Sequence, residues 1–232
     1  MATRSRATIA ALALATSTLS GCALTQSNAG KGVLIGAATG AAAGAAIGSK
    51  NGGTARGAIV GAAVGGAAGA IIGHQMDRQA KEIAQNIPGA TVERVGEGIQ
   101  VTFASGLLYD YDSDRVRADA ASNLRTLAQS LDKYPDTELV IVGHTDDRGT
   151  DAYNQELSQR RATAAATYLV SQGVSRSRIR PIGRGEAEPK VANESEATRQ
   201  QNRRVEVAIF ASERLQQKAK QQAFTSGSSS GI

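Results

Sequence analysis

Gly143-His144-Thr145-Asp146-Asp147-Arg148-Gly149 joins two strongly patterned segments of this chain. Before it, Leu139-Val140-Ile141-Val142 is a short β-branched run with the signature of a buried strand. After it, Asp151 to Gln172 carries a helical pattern that Gly173 ends. The strand therefore delivers Asp146 to a loop at its C-terminal end, a usual place for binding groups. Arg161 lies four residues after Leu157 and seven before Tyr168, so it shares a helical stripe with both. That stripe faces the sheet and brings Arg161 back toward the Asp146 loop. A fixed carboxylate and a fixed guanidinium facing one pocket suit a ligand that carries both an ammonium and a carboxylate.

The same pattern continues through Tyr153-Asn154, Leu157-Ser158, Arg161-Ala162, Gly183-Arg184-Gly185-Glu186 with Pro189, and Asn202-Arg203-Arg204-Val205-Glu206. Taken together, these motifs from about Thr91 to Phe210 resemble the OmpA-like C-terminal domain. The resemblance implies an α+β fold, a small mixed sheet with two main helices on one face. It also implies a periplasmic module that binds peptidoglycan without cleaving it, gripping the diaminopimelate of the stem peptide. By motif alignment Asp146 and Arg161 would hold the ligand, with Asn154, Arg203 and Arg204 as weaker carry-overs. Because Arg203 and Arg204 enter a strand on alternate faces, at most one of them should face the pocket. Leu107-Leu108-Tyr109-Asp110-Tyr111-Asp112-Ser113 resembles the family's entry loop, making Asp110, Asp112 and Ser113 candidate ligand neighbours, with helix capping the alternative for Asp112 and Ser113.

The start of the 232-residue chain carries export signals. Arg4 and Arg6 form a basic region, Ala7 to Leu19 a short apolar core, and Leu19-Ser20-Gly21-Cys22 resembles a bacterial lipobox. Residues 1–21 read as a signal peptide and 22–31 as a lipidated N-terminus and linker. Cys22 is the single cysteine, so no intramolecular disulfide can form, and a lipid anchor explains a lone exported thiol. Several acyl chains on Cys22 give the stable anchoring that one chain cannot. Ala23 after it, where an Asp would resemble an inner-membrane retention signal, favours the outer membrane. Removing Arg4 and Arg6 from the 26 basic residues leaves 24 against 21 acidic, a net charge of +3. This mild excess, with 3% aromatic residues and no Trp, argues against nucleic acid as a partner.

Between Gly32 and Gly73, glycine recurs every four residues, and the pattern around Gly36–Gly48 repeats 25 residues later around Gly61–Gly73. A four-residue period has no meaning on a strand but makes a flat stripe along a helix. Small residues on that stripe let two helix backbones approach closely. The segment 32–73 therefore reads as a glycine-zipper αα-hairpin with helices Val33–Gly48 and Gly57–Gly73. Each uncharged run is about 25 Å long as helix, the lower limit for a bilayer span. A membrane-embedded hairpin, a self-associating zipper that makes homo-oligomers, and a flexible linker all remain open.

Residues 74–90 read as an amphipathic connector and 91–211 as the OmpA-like domain. Within the latter, Val92–Val95 and Ile99–Phe103 read as a hairpin, Arg117–Tyr134 as a helix, Ile179–Gly183 and Arg203–Phe210 as strands, the last half-buried. Residues 212–232 read as a polar, disordered tail that could begin with a helix over Glu213–Gln222.

Catalytic chemistry finds no support here. His144 with Asp146, Asp147 and Asp151 is a poor metal set, since His74 is the only other histidine and lies outside the domain. No Ser–His or Cys–His pairing presents itself. The expectation is a non-enzymatic outer-membrane lipoprotein, without cofactor or metal, whose periplasmic domain tethers the membrane to peptidoglycan. The alternative from a different class is a glycine-zipper assembly protein, localised by wall binding.

Overall fold

The computed structural model of the chain describes residues 53–110 and 112–228. The expected signal peptide, Cys22 and the linker after it, the expected first zipper helix Val33–Gly48, Tyr111 and residues 229–232 lie outside the described residues. Among the described residues five strands are formed: β1 (Ala90–Val95), β2 (Gly98–Ala104), β3 (Thr137–His144), β4 (Ile179–Gly183) and β5 (Arg204–Ala211). They make one mixed sheet in the order β1-β2-β5-β3-β4, antiparallel except for the parallel pair β3 and β4. The helices are α1 (Thr54–Gly61), α2 (Gly66–Asn86), the single turn α3 (Ser105–Leu108), α4 (Ala121–Lys133), α5 (Asp151–Ser171), α6 (Glu196–Asn202) and α7 (Glu213–Ser228).

Strand alternation divides the sheet into two faces. Ile99, Val101, Phe103, Leu139, Ile141, Val205, Val207 and Ile209 bury themselves in one core with apolar residues of α2, α4, α5 and α7. The mixed sheet with α4 and α5 on one face matches the expected α+β fold, and α2 and α7 extend that layer. Val140, Val142, Ala208 and Phe210 point the other way, under Ala55, Ala58, Ile59 and Ala62 of α1. β5 is consequently buried at every position rather than half-buried.

The second zipper helix, expected over Gly57–Gly73, is broken. Gly65 and Gly66 adopt φ of +75° and +62°, which ends α1 and starts α2 in a new direction. The Glu97 carboxylate accepts hydrogen bonds from the amides of Val64 (2.8 Å) and Gly65 (2.7 Å) at this break. The connector expected over 74–90 is instead the body of α2. Its Ile72, Met76 and Ile83 lie at 0–1% exposure in the main core. Burial of this aliphatic stripe, at roughly 1.5–3 kcal/mol per side chain, outweighs the glycine pattern. The tail assigned to 212–232 is also corrected: α7 runs to Ser228 and buries Leu215 and Ala219 in the main core. Among the described residues, no helix is long and apolar enough to cross a membrane.

Two glycines set the distance between sheet and α5. A Cβ on Gly143 would collide with the Ser158 carbonyl oxygen, and one on Gly183 would lie 2.5 Å from the Gln159 amide nitrogen. Helix α5 thus rests directly on the ends of β3 and β4, which aims its first three turns at the Asp146 loop.

Candidate functional site

The loop after β3 is held from several sides. Thr145 donates its amide to the Gly185 carbonyl (2.9 Å), and the Gly185 amide donates to Ser158 Oγ (2.8 Å). Gly149, at φ +106°, turns the chain into α5, where Thr150 Oγ1 caps the helix by accepting from the Tyr153 amide (3.3 Å). Asn154, one turn into the helix, is 2% exposed. Its side-chain amide lies within donor distance of the carbonyls of Asp146 (3.2 Å) and Arg148 (3.0 Å) and of Glu186 Oε2 (2.5 Å). Asn154 is a brace for the loop.

Asp146 is 6% exposed, and neither carboxylate oxygen is idle. Oδ1 accepts the Arg148 amide at 3.1 Å, and Oδ2 pairs with the Arg203 guanidinium. Arg203 also donates to Glu196 Oε1 at 2.6 Å. Burial opposes the Arg203 charge, but the Glu196 and Asp146 carboxylates outweigh it and raise its pKa further.

Arg161 is 5% exposed and does not pair with Asp146. Its Nε donates to the Ser113 carbonyl (2.8 Å), and its guanidinium lies 5.5 Å from the centre of the Tyr109 ring. Tyr109 donates its hydroxyl to the Arg161 carbonyl (2.7 Å), fixing the residue from both ends. Among the described residues the Nη groups of Arg161 have no acceptor. Burial lowers the Arg161 pKa from its usual value, though a guanidinium stays charged at any physiological pH.

These groups converge on one cavity of about 70 Å³, lined by Asp112, Thr145, Asp146, Arg148, Tyr153, Asn154, Leu157, Arg161 and Arg203. Three guanidiniums and two carboxylates around so small a volume can receive the charged head of an amino acid. Tyr153 donates its hydroxyl to Asp112, whose φ of +54° turns its loop toward the cavity.

Most of the residues singled out from sequence gather here. Asp146, Arg161, Asn154 and Arg203 line the cavity, and Arg204 does not. Arg204 enters β5 on the opposite face, where its Nε donates to Glu206 Oε1 at 2.7 Å. Of the entry-loop residues, Asp112 reaches the cavity, Asp110 pairs outward with Arg117 (2.9 Å), and the Ser113 hydroxyl accepts from the Arg115 amide (3.1 Å). Neither Asp112 nor Ser113 caps a helix. His144 lies on the second face, 1% exposed, with Nε2 3.8 Å from Glu206. Thr145, Arg148 and Tyr153 were missed as lining residues. Thr145 is adjacent to Asp146 and so was within reach of the sequence, whereas the meeting of Tyr153 with Asp112 joins segments 41 residues apart.

The chain matches the OmpA family over residues 108–203. A peptidoglycan-associated lipoprotein of Mesorhizobium japonicum is 37% identical over 125 residues, covering 54% of this chain and 74% of that one. The chain belongs to the OmpA family. Every lining residue of the small cavity falls inside the family match, which stops at Arg203 and leaves out Arg204. The N-terminal residues 1–77 match a YMGG-like glycine zipper, the pattern noted in the sequence. The outer membrane porin F of Pseudomonas fluorescens is 44% identical over 103 residues, but the chain spans only 32% of that protein. Among solved structures, the cell wall anchor of the type VI secretion system from Pseudomonas aeruginosa aligns at 32% identity with a TM-score of 0.51. That alignment covers 59% of this chain and 96% of the anchor.

Proposed function

We propose that this chain is a non-catalytic outer-membrane lipoprotein, anchored through Cys22, whose OmpA-family domain binds peptidoglycan at the diaminopimelate of the stem peptide. The reading rests on one observation: Asp146 and Arg161 line the same cavity without neutralising each other. Arg203 and the Arg148 amide hold the carboxylate of Asp146, while Tyr109 and the Ser113 carbonyl hold the guanidinium of Arg161. Asp146 retains lone pairs for an ammonium, and the Nη edge of Arg161, without an acceptor among the described residues, presents a fork for a carboxylate. Diaminopimelate offers both groups on one carbon. Relatives named as peptidoglycan-associated lipoproteins and a neighbour described as a cell wall anchor support the coarser part of this reading, attachment to the wall.

The test is sedimentation of the full-length chain with isolated sacculi, comparing a diaminopimelate-type wall with a lysine-type wall. Wild type should co-sediment with the first and only weakly with the second. Asp146→Ala and Arg161→Ala should each lose tenfold or more in affinity, of the order expected for a desolvated charge partner. Failure of the folded wild type to bind either wall would overturn the proposal.

A further inference from the structure

Helix α1 belongs to the glycine-rich stretch, inside the zipper match over residues 1–77 and outside the OmpA match over 108–203. It nevertheless lies on the OmpA-family domain, with Ala55, Ala58, Ile59 and Ala62 against Val140, Val142, Ala208 and Phe210. Three alanines and one isoleucine make a thin apolar contact, since the gain from burial scales with area. The polar end of α1 is more specific. Thr54, its first residue, is fully buried. Its amide donates to Glu188 Oε2 (3.0 Å) and its hydroxyl to Glu188 Oε1 (2.6 Å), while the same hydroxyl accepts from Arg184 Nε (2.6 Å). The Glu188 side chain is only 6% exposed, so these are desolvated, charge-assisted bonds.

Arg184 and Glu188 bound a short segment whose other side holds the loop of the small cavity. The Arg184 amide donates to the Gly143 carbonyl (3.0 Å) near the end of β3, and the Ala187 amide closes a turn onto the Arg184 carbonyl (3.0 Å). Between them, the Gly185 carbonyl accepts from the amide of Thr145, the residue before Asp146. Glu186 Oε2 receives the side chain of Asn154, which braces the same loop. Gly185 takes φ +51°, a conformation that glycine enters and leaves at little cost, so the segment depends on outside contacts to stay in place. Thr54 grips both ends of the turn whose middle supports Asp146.

We infer that Thr54 is a positioning residue of the Asp146 cavity. It touches no ligand; it fixes residues 184–188 and, through Gly185 and Glu186, the place of the Asp146 loop beside α5. The glycine-rich stretch thereby completes the wall-binding site as well as leading toward the N-terminus. This inference rests on the wall-binding reading of that cavity.

The test is calorimetry of the full-length chain with free diaminopimelate-type stem peptide, beside hydrogen exchange at the Thr145 amide. Thr54→Val keeps the side-chain shape and loses both roles of the hydroxyl. It should weaken stem-peptide binding roughly three- to tenfold and speed exchange of the Thr145 amide by a similar factor. Thr54→Ser, which keeps the hydroxyl, should restore both. Ile59→Ala loosens the apolar contact of α1 without touching Thr54, and should leave both near wild type even where it lowers the unfolding midpoint as far as Thr54→Val does. If Thr54→Val fails to fold, Glu188→Gln, which sets an N–H against the donors of Thr54, makes the same comparison. Equal effects of Ile59→Ala and Thr54→Val would reduce Thr54 to a role in stability and overturn the inference, as would wild-type values in Thr54→Val. If stem peptide does not bind the wild type, the proposal for the cavity falls, and exchange at Thr145 alone decides whether Thr54 holds the loop.

Discussion

The two faces of the sheet meet at Arg203 and Arg204 and use the same side chain in different ways. On the helix-covered face, Arg203 keeps 19% of its side chain exposed and reaches a carboxylate that borders an open cavity. On the other face, Arg204 is 6% exposed and spends its donors on Glu206 and on the carbonyls of Asn202 (3.2 Å) and Glu188 (3.0 Å). One guanidinium belongs to a site and its neighbour to the architecture. Chemical type and sequence position are shared, so the difference comes from strand alternation and from what covers each face.

Replacing each arginine should separate these roles. Arg204→Ala leaves Glu206 buried without its counter-charge and should cost about 3–5 kcal/mol in denaturant unfolding. Arg203→Ala should cost about 1–2 kcal/mol, chiefly a charged hydrogen bond, and show its effect in wall binding instead. Similar stability losses in the two variants would break the comparison. Gly143→Ala pushes a methyl group into the Ser158 carbonyl and should cost about 1–3 kcal/mol, since α5 must back away from β3. Because α5 carries Arg161, the same variant should also weaken wall binding; a stable variant with intact binding would show that the close approach is dispensable.

A pH series sharpens the contrast further. Burial pushes the Glu206 carboxyl up, but the adjoining His144 ring and the Arg204 guanidinium outweigh it and hold it at about 2, below its ordinary 4.5. Its contribution to stability is therefore present above pH 4.5 and lost as the pH falls from there toward 2. The stability gap between wild type and Glu206→Gln should be widest at neutral pH and narrow through that window. A gap that stays constant down to about pH 3 would contradict this ionisation. The smallest effect is expected where Arg56 of α1 meets Glu93 of β1. The Arg56–Glu93 pair is about half exposed at both ends, so Arg56→Ala should change stability by only 0.2–1 kcal/mol.

The mixed sheet and α5 were legible because their patterns are local. Leu139–Val142 reads as a strand, Gly173 stops a helix, and the 3.6-residue stripe orients Arg161 without reference to any distant residue. The cavity was legible in part, since Asp146, Asn154 and Arg161 sit on those same elements. The four-residue glycine period misled over residues 57–73. A periodic stripe states what a helix can do when another helix meets it, but here Gly65 and Gly66 take left-handed conformations and the aliphatic stripe of α2 finds the sheet. The polar tail misled in a similar way, because Leu215 and Ala219 gain their value only once α2 offers a surface.

The sequence by itself determined the period of each element and which residue types stand at the end of β3. Tertiary structure decided who meets whom. It gave Asp146 to Arg203 rather than to Arg161, sent Arg204 to the opposite face, and laid α1 over the apolar half of the second face. Periodicity is a property of neighbouring residues and survives in one dimension. Pairing across 48 residues, as between Arg161 and Ser113, depends on how a closed core distributes its surfaces.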